Sequence, residues 1–281
     1  MCKRMIKKYF PSVLFLAMFL ISGVSQNAMA SQLDKIKEKG ILSVAVYKKF
    51  APYSDDDGGI DVDVAKKIAE KLGLKVEIMP FDADESMDDD LRNMVWKGTV
   101  LGYGPADMMM HVPTDPVFRN RNDKVNIFSA YFRDDIRIVR NRERIPELEN
   151  LNVFEKELIG VEGESLGSDI LSSIEGGKLR KNVRHYLDIN DAFTDLANGD
   201  LSAVMALGGQ AEAAMGDKPG FAIEKPPLYG LLPPVGWAFG VAVRTQDTEL
   251  AEAIGQAMAE LESEGVMDRV FSDHGVKRVK P

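Results

Sequence analysis

The chain has 281 residues, with 35 Lys plus Arg against 44 Asp plus Glu and a formal charge of -9. That balance excludes nucleic acid as a target, because binding it needs a concentrated basic surface. The single cysteine, Cys2, excludes disulfides, cysteine nucleophiles and thiolate metal sites downstream of it, so an ordinary apolar core has to hold the fold.

Residues 1–30 combine a basic start (Lys3, Arg4, Lys7, Lys8), an apolar middle from Val13 to Ile21 and the small-residue exit Ala28-Met29-Ala30. This is the pattern of a cleaved secretory signal, and it makes the mature chain, beginning near Ser31, an exported one; the resemblance described below implies the periplasm as its destination. The apolar run is well short of the ~20 residues a membrane span needs. Removing the leader takes four basic residues and no acid, which leaves a formal charge of -13. Such a surplus favours solubility and steers basic partner proteins.

In chain order, Leu33 to Lys39 reads as a short charged helix ended by Gly40, and Ile41 to Val46 as a strand buried on both faces. Tyr47 to Tyr53 forms an aromatic loop. Helix Asp61 to Leu72 carries Val62, Val64, Ala65, Ile68, Ala69 and Leu72 on one stripe, and strand Lys75 to Met79 returns beside the first. The result is a β-α-β unit. Phe81 to Asp90 is acidic and Leu91 to Trp96 is helical. Lys97 to Pro105 is glycine-rich but lacks the glycine spacing of a phosphate or dinucleotide loop. Met108 to Met110 form a buried strand end, more core filler than metal site. A polar loop with His111, Thr114 and Arg119 follows, and strand Val125 to Tyr131 leads out of the lobe. Polar loops at strand ends beside such a crossing are where open α/β sheets bind ligands.

A second lobe follows, with strands Ile136 to Val139, Leu158 to Val161, Val183 to Tyr186 and Leu201 to Leu207, and helices near Asp169 to Ile174 and Asn190 to Ala197. The turn Ser165-Leu166-Gly167-Ser168 offers backbone N–H groups to an anion. Pro226-Pro227 and Pro233-Pro234 bracket a rim segment, and Glu249 to Ser263 is an amphipathic helix. The expected fold is α/β and two-lobed, each lobe a doubly wound sheet. Residues 31–133 make the first lobe and 134–244 the second; that 245–281 return to the first lobe is what the resemblance described next implies. Crossings near Ala130 to Asp135 and Arg244 to Thr248 serve as the hinge.

Leu33 to Val44, Gly59 to Ala69, Phe128 to Tyr131, and Trp237 to Arg244 continuing through Leu250, Met258 and Leu261 to Gly265 resemble, in that order, the family 3 periplasmic solute-binding proteins. The resemblance implies capture of a small solute between the lobes for an ABC permease by a monomer, with the Glu249 to Ser263 helix packed back on the first lobe. It places Thr114 and Arg119 where members that bind amino acids grip the carboxylate, and Phe50, Tyr53 and Phe81 where rings line the pocket. The acid that holds the ammonium in those members is replaced by Leu207. A buried ammonium without an acid is costly, so the expected solute is a small anion held by Thr114 and Arg119, with His111, Ser165 and Ser168 beside it. Arg119 reads equally well as a surface residue paired near Arg121 and Asp123.

The loop Val112-Pro113-Thr114-Asp115-Pro116 departs from the family pattern. With Leu91-Arg92-Asn93 and Ala106-Asp107 it is similar to a divergent J-type branch that accompanies periplasmic quinoprotein alcohol dehydrogenases of methanol oxidation. That alternative implies a dehydrogenase or its cytochrome as partner. Some relatives of this fold are cyclic-acid dehydratases, and His111 beside Asp107 and Asp115 offers an acid/base pair. The favoured expectation is binding without catalysis, with no cofactor. His111, His185 and His274 lack metal-ligand spacing, so no metal is expected.

Overall fold

A computed structural model describes residues 30–281 except Asp57 and Tyr229. The leader expected over residues 1–30 lies, Ala30 apart, outside the described residues. Among these, no helix is long and apolar enough to cross a membrane.

The first helix, α1 (Gln32–Lys39), starts with a reciprocal cap. The Asp34 N–H donates to the Ser31 hydroxyl, and the Ser31 N–H donates to the Asp34 carboxylate, both at 3.2 Å. β1 (Ile41–Tyr47) then runs parallel to β2 (Lys75–Phe81) on one side and β3 (Met108–Pro113) on the other. Its interior is wholly buried, as its near-continuous apolar run requires. The connecting helix α2 (Ile60–Lys71) buries Val62, Val64, Ala65, Ile68 and Ala69 of the stripe read from the sequence, and Ile60 with them. The expected helix near Leu91–Trp96 begins earlier, as α3 (Met87–Leu91), and continues as a π turn over Arg92–Trp96. A further helix that periodicity does not show, α4 (Pro116–Arg121), follows β3, with Asp115 as its cap and Pro116 in its first turn.

β4 (Val125–Asp134) carries the chain into β5 (Ile136–Asn141) and the second lobe. There β6 (Ile159–Glu162), β7 (Val183–Tyr186), β8 (Ala203–Leu207) and β9 (Phe221–Glu224) complete a sheet of order β7-β6-β8-β5-β9. Helices α5 (Leu166–Ser173), α6 (Ile189–Asn198) and α7 (Gly208–Met215) connect its strands.

The last strand, β10 (Trp237–Arg244), corrects the sequence-based lobe boundary. Residues 237–244 do not close the second lobe. They insert between β3 and β4, antiparallel to both, in a first sheet of order β2-β1-β3-β10-β4. The cause is packing: Phe239, Val241 and Val243 are buried in the first-lobe core beside Tyr131 and Phe132. The return crossing therefore lies between β9 and β10, within 225–236, and not near Arg244 to Thr248. Gly236 has φ +67°, and a Cβ there would overlap the Asp134 carbonyl, so the two crossings touch only because this residue has no side chain. The chain ends with α8 (Thr248–Ser263) and α9 (Val266–Asp273), whose Leu250, Ile254 and Phe271 share a core with Ile68 of α2.

Candidate functional site

A cavity of about 310 Å³ opens between the lobes. The first lobe gives it Phe50, Pro113, Trp237 and Phe239; the second gives Glu162, Ser165, Leu207 and Gln210 among others.

On the first-lobe side the wall is aromatic and backed by a buried polar hub. Asp61, in the opening turn of α2, accepts from the Tyr131 hydroxyl, and its other oxygen stands 3.0 Å from His111 Nδ1. Both His111 and Asp61 are almost fully buried. His111 sits near the end of β3 with φ +61°. Its ring packs against Phe239 at 4.4 Å, Tyr53 at 4.5 Å, Phe50 at 4.8 Å and Phe132 at 5.1 Å between centroids. Edge-to-face and tilted contacts of this kind fix ring orientation as well as burying area. His111 therefore holds Phe50 and Phe239 from behind.

A second buried pair ties the wall to the crossing. The Tyr53 hydroxyl donates to Asp134, which also accepts from the N–H groups of Asp135 at 2.8 Å and Gly209 at 3.4 Å. Gly209 belongs to α7 of the second lobe, and a Cβ there would collide with the Tyr53 hydroxyl. Burial pushes the Asp134 carboxyl and the Tyr53 and Tyr131 hydroxyls above their ordinary pKa values.

The second-lobe side is built on the end of β6. Ser165 caps α5: its hydroxyl accepts from the Ser168 N–H at 3.2 Å and donates to the Glu162 carbonyl at 2.7 Å. The Glu162 side chain is half-buried in the cavity wall, and no side chain or backbone group among the described residues hydrogen-bonds its carboxylate. Burial, helped by the nearby Asp188, raises its pKa to about 7. Gln210 accepts the Leu207 N–H at 3.2 Å. Among the described residues no lysine or arginine lines this cavity.

Of the residues singled out from sequence, Phe50 and Ser165 meet on the cavity wall. Tyr53 and His111 stand behind it, and Ser168 is buried with its N–H given to the Ser165 cap. Phe81 packs on Tyr103 at 4.7 Å in a separate part of the first-lobe core. Thr114 directs both its hydroxyl, at 3.1 Å, and its N–H, at 2.9 Å, onto the Ala238 carbonyl. Arg119 is exposed on α4 and does not line the cavity. The pair expected to hold an anion is thus absent from the wall. β10 has taken Thr114 as a strand partner, and α4 carries Arg119 away.

Glu162, Gln210, Trp237 and Phe239 were not singled out as site residues. For Glu162 a signal exists: an acid closing the apolar run Ile159-Gly160-Val161, at the strand end where such folds place ligands. Among the described residues no group of three or more His, Cys, Asp or Glu is placed to hold a metal ion.

No family model matches the chain. The L-cystine-binding protein TcyJ of Escherichia coli K12 is 22% identical over 264 residues, covering 90% of both chains. Cyclohexadienyl dehydratase of Pseudomonas aeruginosa is 39% identical over 75 residues, 25% of this chain and 28% of the enzyme. Among solved structures, an ancestral cationic amino acid solute-binding protein superposes with a TM-score of 0.67 at 20% identity, covering 87% of this chain and all of that one. An amino acid ABC transporter substrate-binding protein from Streptococcus pneumoniae, bound to L-arginine, gives 0.63 at 21% identity, covering 90% of this chain and all of its own.

Proposed function

We propose, from a chain with the two-lobed fold of the family 3 periplasmic solute-binding proteins, that it captures a small organic solute between its lobes and delivers it to an ABC permease. The observation that carries this reading is the cavity of about 310 Å³ to which each lobe contributes one wall. Such a site closes when the lobes rotate about their crossings, here Asp134–Ile136 and the segment 225–236. The leader pattern over residues 1–30 supports a periplasmic location.

The nature of the solute departs from the anion expected from Thr114 and Arg119. A cavity in which Glu162 is the one ionisable wall residue among the described residues favours solutes bearing positive charge. The reading is one of capture without turnover: His111 packs on Phe50 and Phe239 and is not itself among the residues lining the cavity.

Thermal unfolding with a panel of amino acids and amines tests capture. A ligand present at 100 times its Kd stabilises the protein by about 2.7 kcal/mol. An unmoved transition across the whole panel would falsify the reading.

The dehydrogenase-accessory alternative retains one observation in its favour. Val100 and Leu101 are fully exposed at the tip of the loop before β3, with Tyr103 partly exposed beside them, and such apolar groupings mark contact surfaces. Co-elution with a periplasmic quinoprotein dehydrogenase, lost in a Val100→Ser, Leu101→Ser variant, is the outcome that this alternative requires.

A further inference from the structure

We propose that the interlobe cavity is selective for small organic ammonium ions that carry no carboxylate: amines with a compact apolar or aromatic body, their charged head on Glu162 and their body between Phe50, Trp237 and Phe239. This proposal rests on the capture reading and narrows it to a substrate class.

The absence of cationic residues from the wall is the first argument. An α-amino acid or a carboxylic acid entering the cavity loses the hydration of its carboxylate and meets no lysine or arginine in return. Two groups beside the expected anion site have no donor to offer. Thr114 spends its hydroxyl and its N–H on Ala238, and Pro113, which does line the cavity, has no N–H to give. On the facing wall, the Ser168 N–H at the start of α5 is already held by Ser165. The helix end that would attract an anion lies directly after Glu162, whose own charge repels one.

The second argument is the state of Glu162. It is a half-buried carboxyl whose side chain has no hydrogen-bonding or ionic partner among the described residues, and groups withdrawn from water are normally paired. Its raised pKa, about 7, reports the same deficit. An ammonium ion supplies the missing partner and restores the ordinary acidity. Aromatic rings beside the carboxylate extend the fit, because a cation near a ring face gains further attraction once water is displaced. Phe50 and Phe239 are held in place for this by His111.

Isothermal titration of the mature protein with matched sets separates the possibilities. Each set holds an n-alkyl or arylalkyl ammonium ion, the α-amino acid of the same body and the carboxylate of the same body; L-cystine and L-arginine complete the panel. At pH 8 the proposal expects an ammonium member to bind at least tenfold more tightly than its amino acid and carboxylate counterparts. Protons and the ammonium ion compete for one carboxylate, so affinity falls as pH drops below about 7, approaching tenfold per unit. In Glu162→Gln the preference and the pH slope both vanish, and Glu162→Asp, which keeps the charge, recovers part of the affinity. Equal or tighter binding of the amino acid or carboxylate, or Glu162→Gln affinity within twofold of the parent, overturns the proposal. If L-cystine or L-arginine binds while every amine fails, capture stands and amine selectivity falls; if nothing binds, both fall.

Discussion

Asp61 and Glu162 are carboxylates drawn out of bulk water on opposite flanks of the same cavity, and they are treated in opposite ways. Asp61 is buried to 1% exposure and occupied on both oxygens, by the Tyr131 hydroxyl and by His111. Glu162 is half-buried, faces the cavity, and has no partner for its side chain among the described residues. The first charge is spent on architecture: it locks the start of α2 to β3 and β4 and so fixes the rings that form one wall. The second is held in reserve, its missing partner recorded in a pKa near 7. In the capture reading proposed above, an arriving ammonium ion completes it.

Removing the two charges therefore has different consequences. Asp61→Ala leaves a buried hydroxyl and a buried imidazole without their acceptor, an expected cost of about 3–5 kcal/mol. Urea denaturation measures it, and a loss below about 1 kcal/mol, the worth of a single ordinary hydrogen bond, breaks the distinction. Glu162→Gln moves the other way. The folded pKa of about 7 lies above the ordinary 4.5, so the parent loses stability as pH rises from 4.5 through 7, while the glutamine variant does not titrate. At pH 8 the variant is expected to be more stable, on the order of 1–2 kcal/mol after allowing for solvent screening at a half-buried position. At pH 4.5 the two should unfold together. A variant less stable than the parent at pH 8 means that Glu162 is a structural group like Asp61.

Two smaller effects sharpen the contrast. Ser165→Ala removes the α5 cap, and loss of such a cap costs about 1 kcal/mol; the denaturation midpoint should fall with the slope unchanged. Arg119→Ala, on the exposed face of α4, should change stability by less than about 0.5 kcal/mol and leave solute affinity unaltered. A tenfold loss of affinity there returns the arginine to the binding site.

The lobes were legible because apolar periodicity reports burial. Ile41 to Val46 and Leu201 to Leu207 announce strands covered on both faces, and Val64, Ala65 and Ile68 announce the buried stripe of α2. What stayed hidden depended on contacts between distant residues. Trp237 to Arg244 has the same pattern whichever sheet receives it; its place is set by the distant first-lobe core, Tyr131 and Phe132 included, on which Phe239, Val241 and Val243 pack. The site was harder for the same reason. Thr114 is an available donor in the sequence, and its loss to Ala238, 124 residues away, follows from that strand insertion. Arg119 is displaced by α4, a helix too short for periodicity to reveal and marked only by Asp115-Pro116. His111 keeps chemical interest in the sequence and loses it once four rings close around it.

The insertion of β10 also sets an order of assembly. Every strand of the second sheet, β5 to β9, comes from one continuous stretch, Ile136 to Glu224, so that half can form as soon as its last residues are available. The first half cannot. Until Trp237 to Arg244 arrives, β3 and β4 present two unsatisfied edges with a strand-wide gap between them, the kind of open template that pairs with other chains. A truncated chain ending near Glu224 would carry a finished distal half and an adhesive proximal one, prone to aggregate through its missing strand.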